Sequence, residues 1–294
     1  MLDKNSTLFI MGAPDPEAKA IEELLEEHGY QYAMCMSSYN FNSDKERVNS
    51  HAAYKTKILC TSDRRLLKDF SKFKTIILVE CNGDFVLKIP CNTKIIKVDH
   101  HNEGDVGWNG GPEKFLESSS IGQVLDLLNL QPTKHHLLIA AGDHCLAAAY
   151  NGKCKDIDPV ELLIHRLTNR ALYSKIDPKD LNTEVQKLGT LMECAIAEIH
   201  NARTITINGE TFADFTYRKT VPLLGEAASY LGYSIISCKF VRDMGRYKYM
   251  VQSMNPEVIE YWIGIMADKM GLDNIYGAPK RGYAGGYRDT MVGT

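Results

Sequence analysis

The chain has 294 residues, 44% of them hydrophobic and 24% charged, with a formal net charge of −3. That length can bury a substantial core and is enough for two domains. The near-neutral charge gives no global field for long duplex nucleic acid, so any phosphate binding must be local. No apolar run is long enough to span a bilayer, and Met1–Asn5 leads at once into a strand. Neither a membrane span nor a signal peptide is expected, and the expected location is cytoplasmic. The eight cysteines are scattered without a Cys-x-x-Cys pair, which predicts a reducing compartment with no disulfide framework and no cysteine zinc site.

Short apolar runs alternating with helical patterns predict a parallel sheet in the first half. Leu8–Met11 is the first strand. Gly12-Ala13-Pro14-Asp15-Pro16 follows as a turn whose prolines bar helix until Glu17. Ala18, Ile21, Leu24 and Leu25 then repeat at helical spacing up to His28-Gly29. Tyr32–Met36 is the second strand, Tyr39–Tyr54 reads as loop and helix, and Ile58–Cys60 as a short strand. Leu66–Phe73 is amphipathic, and Thr75–Glu80 is a buried strand. Ile95-Ile96-Lys97-Val98 predicts a buried parallel strand that carries Asp99-His100-His101 at its carboxyl end, where open α/β sheets place their ligands. After a loop containing Gly104, Gly107, Gly110 and Gly111, Ser118-Ser119-Ser120 can cap a helix over Ile121–Leu128. His135–Ala149 reads as one helix carrying Gly142-Asp143-His144.

Residues 156–201 are helical throughout, with punctuation at Asp177-Pro178. The last third predicts a hairpin over Thr204–Ala213 turning at Asn208-Gly209 and a helix over Val221–Tyr230. Strands Ser234–Val241 and Tyr247–Met254 follow, then a helix over Glu257–Met270 and a glycine-rich close, Gly282–Arg288. The expected fold class is α/β: a parallel-sheet domain (1–155), a helical connector (156–201) and a smaller α+β domain (202–294).

Parallel strands bring their carboxyl ends to one sheet edge, so Asp15, Glu17, Glu80, Asp99, His100 and His101 can converge. Asp143 adds a carboxylate in an apolar helical run, where an unpaired charge is costly. Taken singly, Glu17 is equally an acid favoured by a helix dipole, Asp15 a cap and Glu80 a solvated strand end. Together, carboxylates with one or two imidazoles fit Mn²⁺, Mg²⁺ or Fe²⁺ better than a structural zinc site. Two such ions would clamp a phosphate and activate a bridging water for in-line attack. Arg242, Arg246, Lys248, Lys280, Arg281 and Arg288 interleave with Tyr247, Tyr249, Tyr283 and Tyr287, as a short nucleotide ligand requires.

Pro14-Asp15-Pro16-Glu17-Ala18, Glu80 at a strand end, Val98-Asp99-His100-His101 and Gly142-Asp143 resemble, in order and rough spacing, the four motifs of the DHH phosphoesterases. Ala284-Gly285-Gly286-Tyr287 resembles the Gly-Gly-Gly-His loop of the DHH-associated domain. The likeness is strongest to the branch with oligoribonucleases, which are exonucleases, and phosphatases of bisphosphonucleosides. It implies a metal-dependent hydrolase holding one or two Mn²⁺ (or Mg²⁺) ions, with a small nucleotide or short single-stranded oligonucleotide bound between two domains. Self-association into a homo-oligomer is allowed.

By position the resemblance gives Asp15 to a first metal and Glu17, His100 and Asp143 to a second, with Glu80 bridging. Asp99 would orient His100, and His101 would contact the phosphoryl group or protonate the leaving oxygen. Gly285, Gly286, Tyr287 and Arg288 would hold the substrate. Four positions depart from the family pattern: Met11 replaces an early histidine, Glu17 and Glu80 replace aspartates, and Tyr287 replaces the loop histidine. The alternative they leave open is a catalytically reduced protein of this fold that binds a nucleotide, a phosphorylated ligand or a protein partner without turnover. His144, His135 and His136 read as surface or packing residues.

Overall fold

The computed structural model describes residues 2–39, 46–173, 177–218 and 221–291. Residues 40–45 of the expected Tyr39–Tyr54 loop lie outside the described residues. The chain forms two compact units, Met1–Trp108 with Lys114–His144, and Asn109–Glu113 with Cys145–Thr294.

In the first unit, β1 (Thr7–Met11), β2 (Gln31–Met36), β3 (Ile58–Thr61), β4 (Thr75–Val79) and β5 (Lys94–Val98) form a sheet of order β3-β2-β1-β4-β5. β1 runs parallel to β2 and β4, and β4 parallel to β5, while β3 is antiparallel to β2. β1 is buried along its whole length, as a central strand covered on both faces must be. Leu8, Ile10, Ile76 and Leu78 pack with Phe70 and Phe73. The helices are α1 (Pro16–Glu27), α2 (Ser50–Ala53), α3 (Phe115–Ser118), α4 (Ser120–Leu128) and α5 (Lys134–His144), with α1 packed on α4 and α5. The chain leaves β1 toward β2 on one side and later returns to β4 on the other. That reversal opens a crevice at the carboxyl ends of β1 and β4.

Three sequence readings change. β5 is parallel as expected but is an edge strand rather than a buried one: Lys94, Ile95 and Lys97 are exposed and burial begins at Val98. A β-branched run looks alike at the edge and the centre of a sheet, so the pattern could not tell them apart. The amphipathic Leu66–Phe73 stretch is irregular, its Leu66 bridged to Cys60. The helix expected over His135–Ala149 is broken at Cys145 (φ −136°, ψ 48°), and α6 (Leu146–Tyr150) belongs to the second unit.

In the second unit, α7 (Pro159–Tyr173) and α8 (Leu181–His200) lead into β6 (Thr204–Ile207) and β7 (Glu210–Phe215). Asn208 and Gly209 turn that hairpin at φ 47° and 80°, the left-handed pair that Asn-Gly supplies at least cost. Next come α9 (Leu224–Leu231), β8 (Ile235–Val241), β9 (Arg246–Gln252), α10 (Pro256–Tyr261), a π-turn at Trp262–Met266, α11 (Ala267–Lys269), β10 (Asp273–Ala278) and β11 (Tyr283–Arg288). The sheet order is β10-β11-β9-β8-β7-β6. One face packs Phe215 and Ile235 against α7, α8 and α9, and the other packs Phe212, Ile236 and Tyr249 around Trp262. The sequence did not anticipate β10, and the expected glycine-rich close is strand β11. Among the described residues, no helix is long and apolar enough to cross a membrane.

Candidate active site

The carboxyl ends of β1, β4 and β5 and the last turn of α5 bring Glu17, Glu80, His100 and Asp143 together. Gly12 donates to Val79 O at 2.9 Å, and a Cβ on Gly12 would collide with the Glu80 carbonyl, so the ends of β1 and β4 approach as closely as a glycine permits. Beyond that turn Asp15 caps α1, its Oδ1 accepting from Ala18 N at 2.7 Å. Glu17, in the first turn of α1, is 1% exposed. Its Oε1 accepts from Ile121 N at 3.0 Å, one of the amides left open at the start of α4. Its Oε2 is buried with no hydrogen-bond partner among the described residues. Glu80 ends β4 in left-handed backbone at φ 50°, and its Oε1 accepts from Ser120 Oγ at 2.7 Å. The start of α4 therefore anchors both glutamates. A glutamate is one methylene longer than an aspartate, which gives each the reach for this contact.

His100 is fully buried, and three carboxylates face its Nε2: Asp143 Oδ2 at 3.1 Å, Glu80 Oε1 at 3.4 Å and Glu17 Oε2 at 3.9 Å. Its Nδ1 lies 3.0 Å from His144 Nδ1. Gly107 packs against the base of the side chain, since a Cβ there would collide with His100 Cβ and the Ser118 carbonyl. His144, read from sequence as a surface or packing residue, is 2% exposed and in direct contact with His100.

Asp99 does not orient the His100 ring, as the resemblance implied. Its Oδ1 accepts from the His101 ring Nδ1 at 3.0 Å and from the backbone N–H groups of His100 (2.7 Å) and His101 (3.0 Å). Its Oδ2 accepts from Tyr54 Oη at 2.8 Å. A strand-end carboxylate that receives the two following amides folds its side chain back over its own turn, which places His101, not His100, within reach. An ionised carboxylate can only accept, so His101 donates through Nδ1 and keeps Nε2 for another partner. Tyr54 gave no sequence signal, since it ends a polar stretch far from Asp99.

For Asp15 and Glu17, burial and neighbouring carboxylates outweigh the few donors that reach them. Burial, reinforced by Glu80 and Asp143, raises Asp15 to about 8. Burial, with Asp143 and Glu80 again adding, holds Glu17 well above the usual carboxylate range. Burial opposes charge on His101 but is outweighed by its bond to Asp99 and the fields of Glu80, Asp143 and Asp99, which hold it at about 9. For Asp99 burial raises the pKa, and the bonds from His101 and Tyr54 more than reverse it.

This donor set fits a hard divalent cation. Bonds of about 2.0–2.2 Å would set neighbouring donors about 3–3.5 Å apart, close to the spacings around His100 Nε2. Two overlapping groups can hold an ion, Glu17–His100–Asp143 and Glu80–His100–His101. In the second, His101 approaches Glu80 through Nδ1 at 3.9 Å, the nitrogen already bonded to Asp99, so the first, joined by Glu80, suits the cation better. Three oxygens and one imidazole favour Mn²⁺ or Mg²⁺. Met11 is wholly buried at the end of β1 and offers only a soft thioether.

The expected substrate residues lie on β11 in the second unit. Strand alternation puts Gly285 and Tyr287 on one face and Gly286 and Arg288 on the other. Tyr276 lies over Gly285 where a Cβ would stand, and Lys248 Nζ sits 5.1 Å from the Tyr276 ring and 5.7 Å from that of Tyr287. Beside them a cavity of about 410 Å³ is lined by Lys239, Met250, Gln252, Tyr276 and Tyr283. Arg288 donates to Met270 O at 2.9 Å, and Arg246 is held by Asp273 and Asp289.

No protein-family model matches the sequence, and no curated protein matches it. Among solved structures, the chain is similar to a pGpG-specific phosphodiesterase, PggH from Vibrio cholerae, over 96% of this chain and 92% of that one, at 12% identity and a TM-score of 0.47.

Proposed function

We propose that this protein is a metal-dependent phosphoesterase acting on a small nucleotide-like phosphate ester: a dinucleotide, a short oligonucleotide or a bisphosphonucleoside. One observation carries the reading: Glu17, Glu80 and Asp143 converge on a single buried imidazole nitrogen while burial pushes Glu17 well above the usual carboxylate range. Such a cluster is costly to a fold without a cation. A divalent ion held by Glu17, Glu80, His100 and Asp143 would supply Lewis-acid polarisation of a phosphoryl oxygen and an activated water. Glu17 and Glu80, fixed at the start of α4, set the oxygens that hold it. His101, its Nδ1–H given to Asp99, is left with Nε2 to hydrogen-bond the phosphoryl group or protonate the leaving oxygen, and Tyr54 holds Asp99 in place. On the face bearing Gly285 and Tyr287, Tyr276 covers Gly285 and Tyr287 is 2% exposed, so a phosphate and a base would meet the half-buried Lys248 and Tyr276.

The test is release of product from linear dinucleotides (pGpG among them) and bisphosphonucleosides with Mn²⁺ or Mg²⁺. Cleavage that stops with chelator supports the reading. Absence of both metal binding and product release removes it. Metal-independent nucleotide binding would instead support the catalytically reduced alternative.

A further inference from the structure

Both nitrogens of the His100 ring are engaged by consecutive residues of α5. Asp143 Oδ2 stands 3.1 Å from Nε2, and His144 Nδ1 stands 3.0 Å from Nδ1. The His100 and His144 ring centroids are 5.1 Å apart with planes 28° from parallel. That separation is close to the Nδ1–Nδ1 distance plus the two ring radii, so the rings meet edge to edge rather than stacked. The hydrogen bond therefore lies near both ring planes, where a nitrogen lone pair points. A neutral imidazole has one donor and one acceptor nitrogen, and its partner on one side decides what the other side offers.

We propose that His144 is a positioning residue that accepts the Nδ1 proton of His100 and thereby keeps the His100 Nε2 lone pair directed at the carboxylates, ready for a metal ion. This rests on the metal reading above. Asp99 cannot serve this role, because its carboxylate is taken by the His101 ring, two amides and Tyr54. His144 is 2% exposed and last in its helix, so its ring is held by packing and costs little further ordering.

The experiment compares full-length wild type, His144→Leu and His144→Asn. Leucine fills the space without an acceptor, and asparagine keeps an oxygen near the position of Nδ1. Free Mn²⁺ would be titrated by electron paramagnetic resonance, and melting temperature recorded without metal. Expected is about a 10–100-fold loss of Mn²⁺ affinity in His144→Leu, recovered to within a few-fold in His144→Asn. Wild-type affinity in His144→Leu would overturn the proposal, and so would equal weakness in both variants. Nitrogen-15 shifts of wild type with Zn²⁺ give a check that needs no variant: His100 should carry its proton on Nδ1, and a proton on Nε2 would refute the assignment. If wild type binds no divalent ion, the metal reading falls as well. If it binds and His144→Leu binds equally, only the role of His144 falls.

Discussion

Glu17 in the first unit is 1% exposed and Glu226 on α9 in the second is 8% exposed, yet their surroundings push them in opposite directions. Glu226 receives Arg166 through Nε at 2.6 Å and Nη2 at 2.8 Å, and Tyr150 Oη at 2.5 Å. Burial raises its pKa, but these donors outweigh it and hold the carboxyl below its ordinary value. Glu17 has one backbone amide and three nearby carboxylates, and goes well above. The second unit thus completes this buried acid with protein donors, while the first leaves Glu17 with a single amide among like charges. A buried carboxylate rich in donors from its own chain and one poor in them are thus driven to opposite sides of the ordinary value.

The contrast is open to direct attack. Glu226→Leu leaves the half-buried Arg166 without its bidentate partner and should cost about 3–5 kcal/mol in urea unfolding. A loss below 1 kcal/mol would show that the network is ornamental. His101→Ala should cut turnover by about 10²–10⁴-fold with metal content nearly intact; loss of metal in elemental analysis would make His101 a ligand instead. Glu17→Gln should do the reverse of Glu226→Leu, raising metal-free stability at pH 8 by about 1–3 kcal/mol while abolishing the Mn²⁺-dependent rise in melting temperature. Destabilisation there would mean that Glu17 has protein partners enough.

The pH dependence should also separate the regions. Asp15, ordinarily near 3.8, is held at about 8, and Glu17 is raised from 4.5. Raised folded-state values give stability that is full below the unfolded values and lost as pH climbs through the folded ones. Metal-free protein should therefore weaken between about pH 4 and pH 8, and saturating Mg²⁺ should flatten that slope in thermal melts. Glu226 has the opposite sign: its contribution is present above 4.5 and lost as pH falls through its lowered folded value. Smallest of all, Tyr54→Phe removes one bond to Asp99 and should cost about 1–2 kcal/mol, with a higher Asp99 pKa by NMR titration.

Much of this was readable in the chain. The run before Asp99, the prolines around Asp15 and the acid at Glu80 located three strand ends, and adjacent parallel strands do the rest. What stayed hidden depends on contacts remote in sequence. Tyr54 is 45 residues from Asp99, and the exchange of partners that gives Asp99 to His101 and His144 to His100 is decided by side-chain direction. The break at Cys145 was also invisible, because Leu146-Ala147-Ala148-Ala149 continues the helical composition without a proline or glycine to mark the stop. Strand β10 was missed because Asn274 and Gly277 dilute its apolar pattern.

Glu80 combines the carboxylate proposed to join the metal site with left-handed backbone at φ 50°, a conformation that glycine or asparagine adopts at lower cost. Heat-selected libraries grown without divalent ions should therefore return Gly or Asn at this codon early, each gaining backbone comfort and shedding a negative charge. Stability and turnover would part company at a single position, which makes residue 80 a sensitive record of whether a lineage has been selected for catalysis or merely for persistence.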